Sequence, residues 1–106
     1  MNRSVIVARI KPGEEKSVAR IFAESDATDL PHDLGVKTRS LYSLGDLYLH
    51  VIEFRDDPSE ALRKGPALPG FQQISEDLRA YIQPYDPKTW KSPADAVARE
   101  FYNWRG

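Results

Sequence analysis

The chain of 106 residues contains no cysteine. That absence removes disulfides, iron–sulfur clusters, thiolate zinc sites and a cysteine nucleophile from consideration. Histidine is scarce: His32 and His50 are the 2 copies, and they are too far apart for H-x-x-H or H-E-x-x-H. No metal site and no organic cofactor are therefore expected. There is no Gly-rich phosphate loop, no G-x-S-x-G elbow and no dinucleotide fingerprint. No apolar run approaches the ~20 residues that span a bilayer, and the N-terminus shows no apolar signal region. A cytoplasmic protein without membrane contact is expected. An excess of one charge is missing too. Lys plus Arg number 15 against 16 Asp plus Glu, a formal net charge of −1. Such a surface has no electrostatic footprint for a phosphate backbone, so a nucleic-acid partner is not expected.

What is present fits one domain over residues 1–106. Arg3 to Ile10 is short and rich in β-branched residues, and Pro12 and Gly13 end it, so a strand is expected. Glu14 to Ser25 places Val18, Ile21 and Phe22 at helical spacing, with acidic residues in the first turn. Asp26 to Gly35 breaks that pattern and reads as a loop. Val36 to Leu44 and Leu47 to Arg55 read as two strands around Gly45-Asp46, a type II′ hairpin signal. Asp57 to Glu60 carries helix-start residues, with Pro58 at the first helical position. A helix is expected over Gly70 to Gln83, where Phe71, Ile74, Leu78 and Tyr81 keep helical spacing. A last strand is expected over Val97 to Trp104. The fold class is α+β: a ferredoxin-like β-α-β-β-α-β chain, with a four-stranded antiparallel sheet and helices on one face. The uncovered face calls for a second protomer, giving the dimeric α+β barrel type.

The hairpin turn sets a register. Leu44 opposes Leu47, Leu41 opposes His50 and Arg39 opposes Ile52. Arg39 and His50 then share a sheet face as diagonal neighbours roughly 7–8 Å apart, within reach of a long side chain. Tyr48, Ile52 and Phe54 lie on that face by alternation, and a one-residue slip would separate the pair. His50 reads either as a core histidine with one satisfied hydrogen bond or as a general acid–base, because free imidazole titrates near pH ~6.5. Arg39 reads either as a solvated strand-edge cation or as a clamp on a developing enolate oxygen. Asp26 reads either as a turn residue or as a carboxylate that orients or accepts protons. His32, beside Pro31, reads as solvated. Tyr42, Tyr48, Phe101, Tyr102 and Trp104 are core or interface residues that also suit a flat aromatic ligand.

Three pieces carry a resemblance: D-A-T-D-L-P at Asp26 to Pro31, L-G-V at Leu34 to Val36, and D-L-Y-L-H at Asp46 to His50. With Gly70-Phe71-Gln72, Tyr81 and E-F-Y-N-W at Glu100 to Trp104, the chain resembles the tetracenomycin-type aromatic polyketide cyclases of bacterial type II pathways. The resemblance implies a cofactor-independent enzyme of lyase or isomerase type. It would close a ring regiospecifically, with loss of water, on a polyketide bound for an antibiotic or spore pigment. It implies His50, Arg39 and Asp26 as catalytic residues, and a substrate pocket that includes Tyr48, Ile52, Phe22 and Trp104. It also implies a homodimer and transient contact with a polyketide synthase or acyl carrier protein. One departure stands out: Ser25 precedes Asp26 where a family member carries histidine, so a mechanism needing two pocket histidines does not transfer. Two other readings remain: an anthrone-type cofactor-independent monooxygenase on the same fold, and a non-catalytic polyketide-binding protein.

Overall fold

The computed structural model describes residues 3–57, 63–90 and 93–106. Its first strand, β1 (Arg3–Ile10), buries Ser4, Ala8 and Ile10 on one side and half-buries Val5 and Val7 on the other. Helix α1 (Glu15–Asp26) follows and lays Val18 and Phe22, one turn apart, against the sheet. Each such burial contributes roughly 1.5–3 kcal/mol. The helix stops where Thr28 intervenes. The Thr28 hydroxyl donates to the Ser25 carbonyl and accepts from the Leu30 amide, so it closes one helix and opens the next. The segment expected as a plain loop therefore contains a single helical turn, α2 (Leu30–Asp33), with Pro31 in its first turn and Leu30 buried. Gly35, at φ +73°, adopts the left-handed conformation that lets the chain leave that turn.

Strands β2 (Val36–Leu44) and β3 (Leu47–Phe54) form the expected hairpin. Gly45 has φ +61° and no other residue type among those described has positive φ, which fits a type II′ turn. The register is as the turn dictates: Leu44 opposes Leu47, Leu41 opposes His50 and Arg39 opposes Ile52. β3 pairs on its other edge with β1, placing Ile6 opposite His50 and Ala8 opposite Tyr48.

Two elements differ from expectation. The helix expected over Gly70 to Gln83 is α3 (Pro69–Leu78), and the fourth strand is β4 (Ile82–Pro84). Tyr81 keeps its helical phase in sequence, but it sits in a turn and still packs on the core beside Leu78 and Ile82. The strand expected over Val97 to Trp104 does not form. β4 occupies the edge of β1 from Ala8 to Ile10, so the last segment meets only the remaining edge. It does so through one bridge, Ile6 to Val97, with the Ala98 amide donating to the Val5 carbonyl at 2.7 Å. The expected helix start at Asp57 to Glu60 falls mostly outside the described residues.

The strand order is β2-β3-β1-β4, the ferredoxin-like α+β arrangement. Both long helices pack on one face, where Ala8, Ile10, Val18, Phe22 and Tyr48 form the core and Ile74 and Leu78 of α3 lie against it. Gly65 and Gly70 make room for Leu34 and Leu30, whose side chains would stand 3.3 Å from an added Cβ. That contact seats α2 on the start of α3. The opposite face carries half-buried Val5, Val7, Leu49 and Val51 and exposed Tyr42 and Leu44.

Candidate active site

The face of β3 that meets the helices carries Tyr48, His50, Ile52 and Phe54, all buried. Arg39 reaches this face from β2, and α1 ends directly above it. The Arg39 guanidinium binds two partners at once. Its Nε donates to Asp26 Oδ1 at 3.2 Å and Oδ2 at 3.1 Å, and its Nη2 donates to Oδ1 at 3.0 Å. Its Nη1 lies 2.8 Å from His50 Nε2. Arginine has no acceptor, so this contact makes Nε2 the acceptor and places the single ring proton of a neutral imidazole on Nδ1.

Phe22 holds the assembly from one side. Its ring lies under the Arg39 guanidinium, 4.9 Å from ring centroid to Cζ, and meets His50 edge-on at 5.0 Å between centroids. Phe22 and Asp26 are one helical turn apart, so a single face of α1 supplies both the ring under the cation and the carboxylate at its edge. Tyr48 sits on the other side of His50, 6.2 Å between centroids.

Burial, and secondarily the positive charge of Arg39, push the His50 imidazole down from the ordinary 6.5 to about 3. His50 is thus neutral at physiological pH. The ordinary titration expected from sequence does not survive the fold. Burial likewise holds the Tyr48 phenol well above its usual range, with Arg39 opposing in part.

Asp26, Arg39, His50, Phe22, Tyr48 and Ile52 therefore share one neighbourhood, with Ile52 directly opposite Arg39 on the sheet. Ile6, facing His50 across the strands, is only half-buried. Trp104 is not brought to this group: it is 73% exposed on the C-terminal segment, because the last strand that would have carried it does not form. His32 is exposed and meets Arg55 Nη1 at 3.3 Å. Sequence reasoning missed Ser4, a buried hydroxyl opposite Ile52, and the direct grip of Asp26 on Arg39. The i, i+4 spacing of Phe22 and Asp26 puts the two on one helix face, but no local signal pairs Asp26 with Arg39. Among the described residues, no group of three or more His, Asp or Glu side chains converges to hold a metal ion. No helix among them is long and apolar enough to cross a membrane.

The sheet order and one-sided helix layer define a ferredoxin-like α+β protein that carries the Asp26–Arg39–His50 hydrogen-bonded chain on its helix-covered face. The chain belongs to the polyketide synthesis cyclase family, whose description matches residues 2–105. It is 39% identical over 102 residues to tetracenomycin F2 cyclase of Streptomyces glaucescens, covering 96% of this chain and 93% of the relative. The solved structure of that cyclase superposes with a TM-score of 0.92, covering 100% of this chain and 99% of the other. The chain is 45% identical over 104 residues to polyketide synthase CurG of Streptomyces cyaneus, covering 98% of this chain and 97% of the relative. It is 48% identical over 105 residues to an uncharacterised protein of Streptomyces coelicolor, covering 98% and 95%. A cofactor-independent oxygenase from Streptomyces nogalater shares the fold at 19% identity and a TM-score of 0.57, covering 78% of this chain and 86% of that one. That likeness extends to the fold alone.

Proposed function

We propose that the protein is an aromatic polyketide cyclase that closes one ring of a poly-β-ketone by aldol-type condensation and then removes water. The observation that carries this reading is the hydrogen-bonded Asp26–Arg39–His50 chain, which runs from an exposed carboxylate to a buried imidazole and is seated on Phe22. A methylene between two carbonyls is already acidic, so the task is to place it and to manage one proton. Asp26 fixes the guanidinium fork. When a substrate carbonyl oxygen enters, Arg39 turns Nη1 to it and stabilises the enolate that forms. That movement frees His50 Nε2 to take the methylene proton. The enolate carbon bonds to a second carbonyl carbon, and the resulting alkoxide takes up a proton. Loss of a second hydrogen and that hydroxyl as water gives the aromatic ring.

The same environment that keeps His50 neutral makes its imidazolium a strong acid. Each proton is therefore held only briefly: the first passes from His50 to the alkoxide, and the second, taken up on dehydration, goes to the departing hydroxyl. Carbon–carbon bond formation and dehydration involve no net oxidation, so the sequence closes without an electron acceptor.

A second copy of this chain belongs to the same reading. The outer sheet face presents Val5, Val7, Leu49 and Val51 flanked by Tyr42 and Leu44, and the exposed Phe101, Tyr102 and Trp104 follow on the C-terminal segment. A self-complementary patch of this kind suits a two-fold dimer.

The test is reconstitution with a minimal polyketide synthase, with and without the protein. A shift of the product mixture to a single cyclised, dehydrated compound supports the proposal. An unchanged mixture overturns it. Dioxygen consumption with a quinone product would instead establish the monooxygenase reading.

A further inference from the structure

Tyr48 is a buried residue with an unspent polar group. It is 4% exposed and packed among Ala8, Ile10, Val18 and Phe22 in the centre of the core. Buried tyrosines normally commit the hydroxyl to a partner. Here no hydrogen bond to that hydroxyl is formed by the described residues. Yet among the same residues no side-chain oxygen or nitrogen is both sealed from solvent and unpartnered. The two facts together mean that the ring is buried while the hydroxyl oxygen is not fully sealed from solvent. Phenylalanine would fill the same core volume without leaving a donor unmatched.

Three further observations place that donor near the reactive group. Alternation along β3 puts Tyr48 on the helix-facing side with His50, 6.2 Å away between ring centroids. The charge of Arg39 is felt at the phenol, so the hydroxyl lies within the field of the same guanidinium that grips Asp26 and His50. Burial keeps the phenol protonated, so it is a donor and not an anion.

We propose that the Tyr48 hydroxyl donates a hydrogen bond to an oxygen of the bound polyketide that is not the reacting one. It thereby fixes which methylene lies at His50 and which carbonyl at Arg39. This rests on the cyclase reading and adds to it a specificity-determining contact. Arg39 and His50 act on whatever β-dicarbonyl unit reaches them, because every such unit along the chain has the same local chemistry. A third polar contact at a fixed offset distinguishes one register of the chain from the next. The phenol suits that task because its ring is wedged and has one orientation.

The test uses Tyr48→Phe, which removes one oxygen and keeps the packed ring. Two measurements are made on the full chain. In reconstitution with a minimal polyketide synthase, the ratio of the wild-type product to misclosed products is expected to fall roughly 3- to 10-fold, as one hydrogen bond predicts. Binding of benzoylacetone, a stable aryl β-diketone, followed by calorimetry, is expected to weaken over the same range. The thermal midpoint should be retained, which a merely structural role for the hydroxyl would not allow.

An unchanged product ratio with unchanged diketone affinity overturns the proposal, as does failure of the wild type to bind the diketone. If instead the wild type leaves the synthase products unaltered while diketone binding still depends on Tyr48, the cyclase reading fails and the contact stands.

Discussion

The two faces of the four-stranded sheet differ in what they hold. The face covered by helices holds the costly groups: Arg39, His50, Tyr48 and the Ser4 hydroxyl. The uncovered face holds Val5, Val7, Leu49 and Val51, which would be at home in a core. Burying a polar group without a partner costs a few kcal/mol, so a fold that places several of them inside has a use for them. Apolar residues left outside have no such local explanation and point to an association surface. Chemistry is therefore read from what is polar and inside, and assembly from what is apolar and outside.

The largest effect is expected from breaking the inner face at its charge. Arg39→Ala removes the donor to the enolate and the partner of both Asp26 and His50. Ring closure in the reconstituted system should drop by about 10²–10³-fold, in line with loss of an oxyanion-type donor. Circular dichroism should show a retained fold. A variant with wild-type product yield would leave Arg39 with only a structural role.

His50→Gln comes next, with a fall in turnover of about 10²-fold expected, at the lower end for a lost proton carrier. This variant also tests the protonation state. The folded histidine titrates at about 3 against 6.5 when free, so between those values the unfolded chain binds a proton that the native one does not. Stability must then decline as pH falls below 6.5, by up to about 1.4 kcal/mol per unit. The decline levels off only near pH 3, where the folded imidazole itself titrates. Denaturant melts between pH 7 and 4 should show this slope in the wild type and a shallower one in His50→Gln. For the same reason the wild-type rate should show no inflection near pH 6.5 that belongs to this residue. Equal slopes in the two proteins would mean that His50 is protonated in the native state.

On the outer face, Leu49→Lys should abolish self-association while leaving the hairpin intact. Light scattering after gel filtration reads the outcome as a halved mass, and a wild type that is already monomeric would remove the assembly half of the comparison. The mildest effect is expected from Asp26→Asn. Asp26 sits at the rim and retains partial exposure, so the loss should be about 10-fold in rate and up to about 1 kcal/mol in stability.

The parts of this design that sequence reveals are those set by local geometry. A two-residue turn with glycine first fixes the hairpin register, and the register alone brings Arg39 and His50 to one face. The grip of Asp26 on Arg39 is tertiary: it depends on where α1 ends above β2, and no spacing between residues 26 and 39 encodes that. The depressed titration of His50 comes from burial and a neighbouring cation, which residue identity does not show. The fourth strand was misplaced for two reasons. Helical phasing runs through Tyr81 past the true end of α3, and the aromatic segment ending at Trp104 has a strand-like composition but finds β4 already paired with β1 from Ala8 to Ile10.

Phe22, Asp26, Arg39, Tyr48 and His50 all fall between α1 and the middle of β3, so the reactive groups occupy one continuous stretch of the chain. Ile74 and Leu78 of α3 and Ile82, which pack against the core beside them, come from later in the chain. On the cyclase reading proposed above, the groups that handle the proton and the apolar residues packed next to them can therefore change independently.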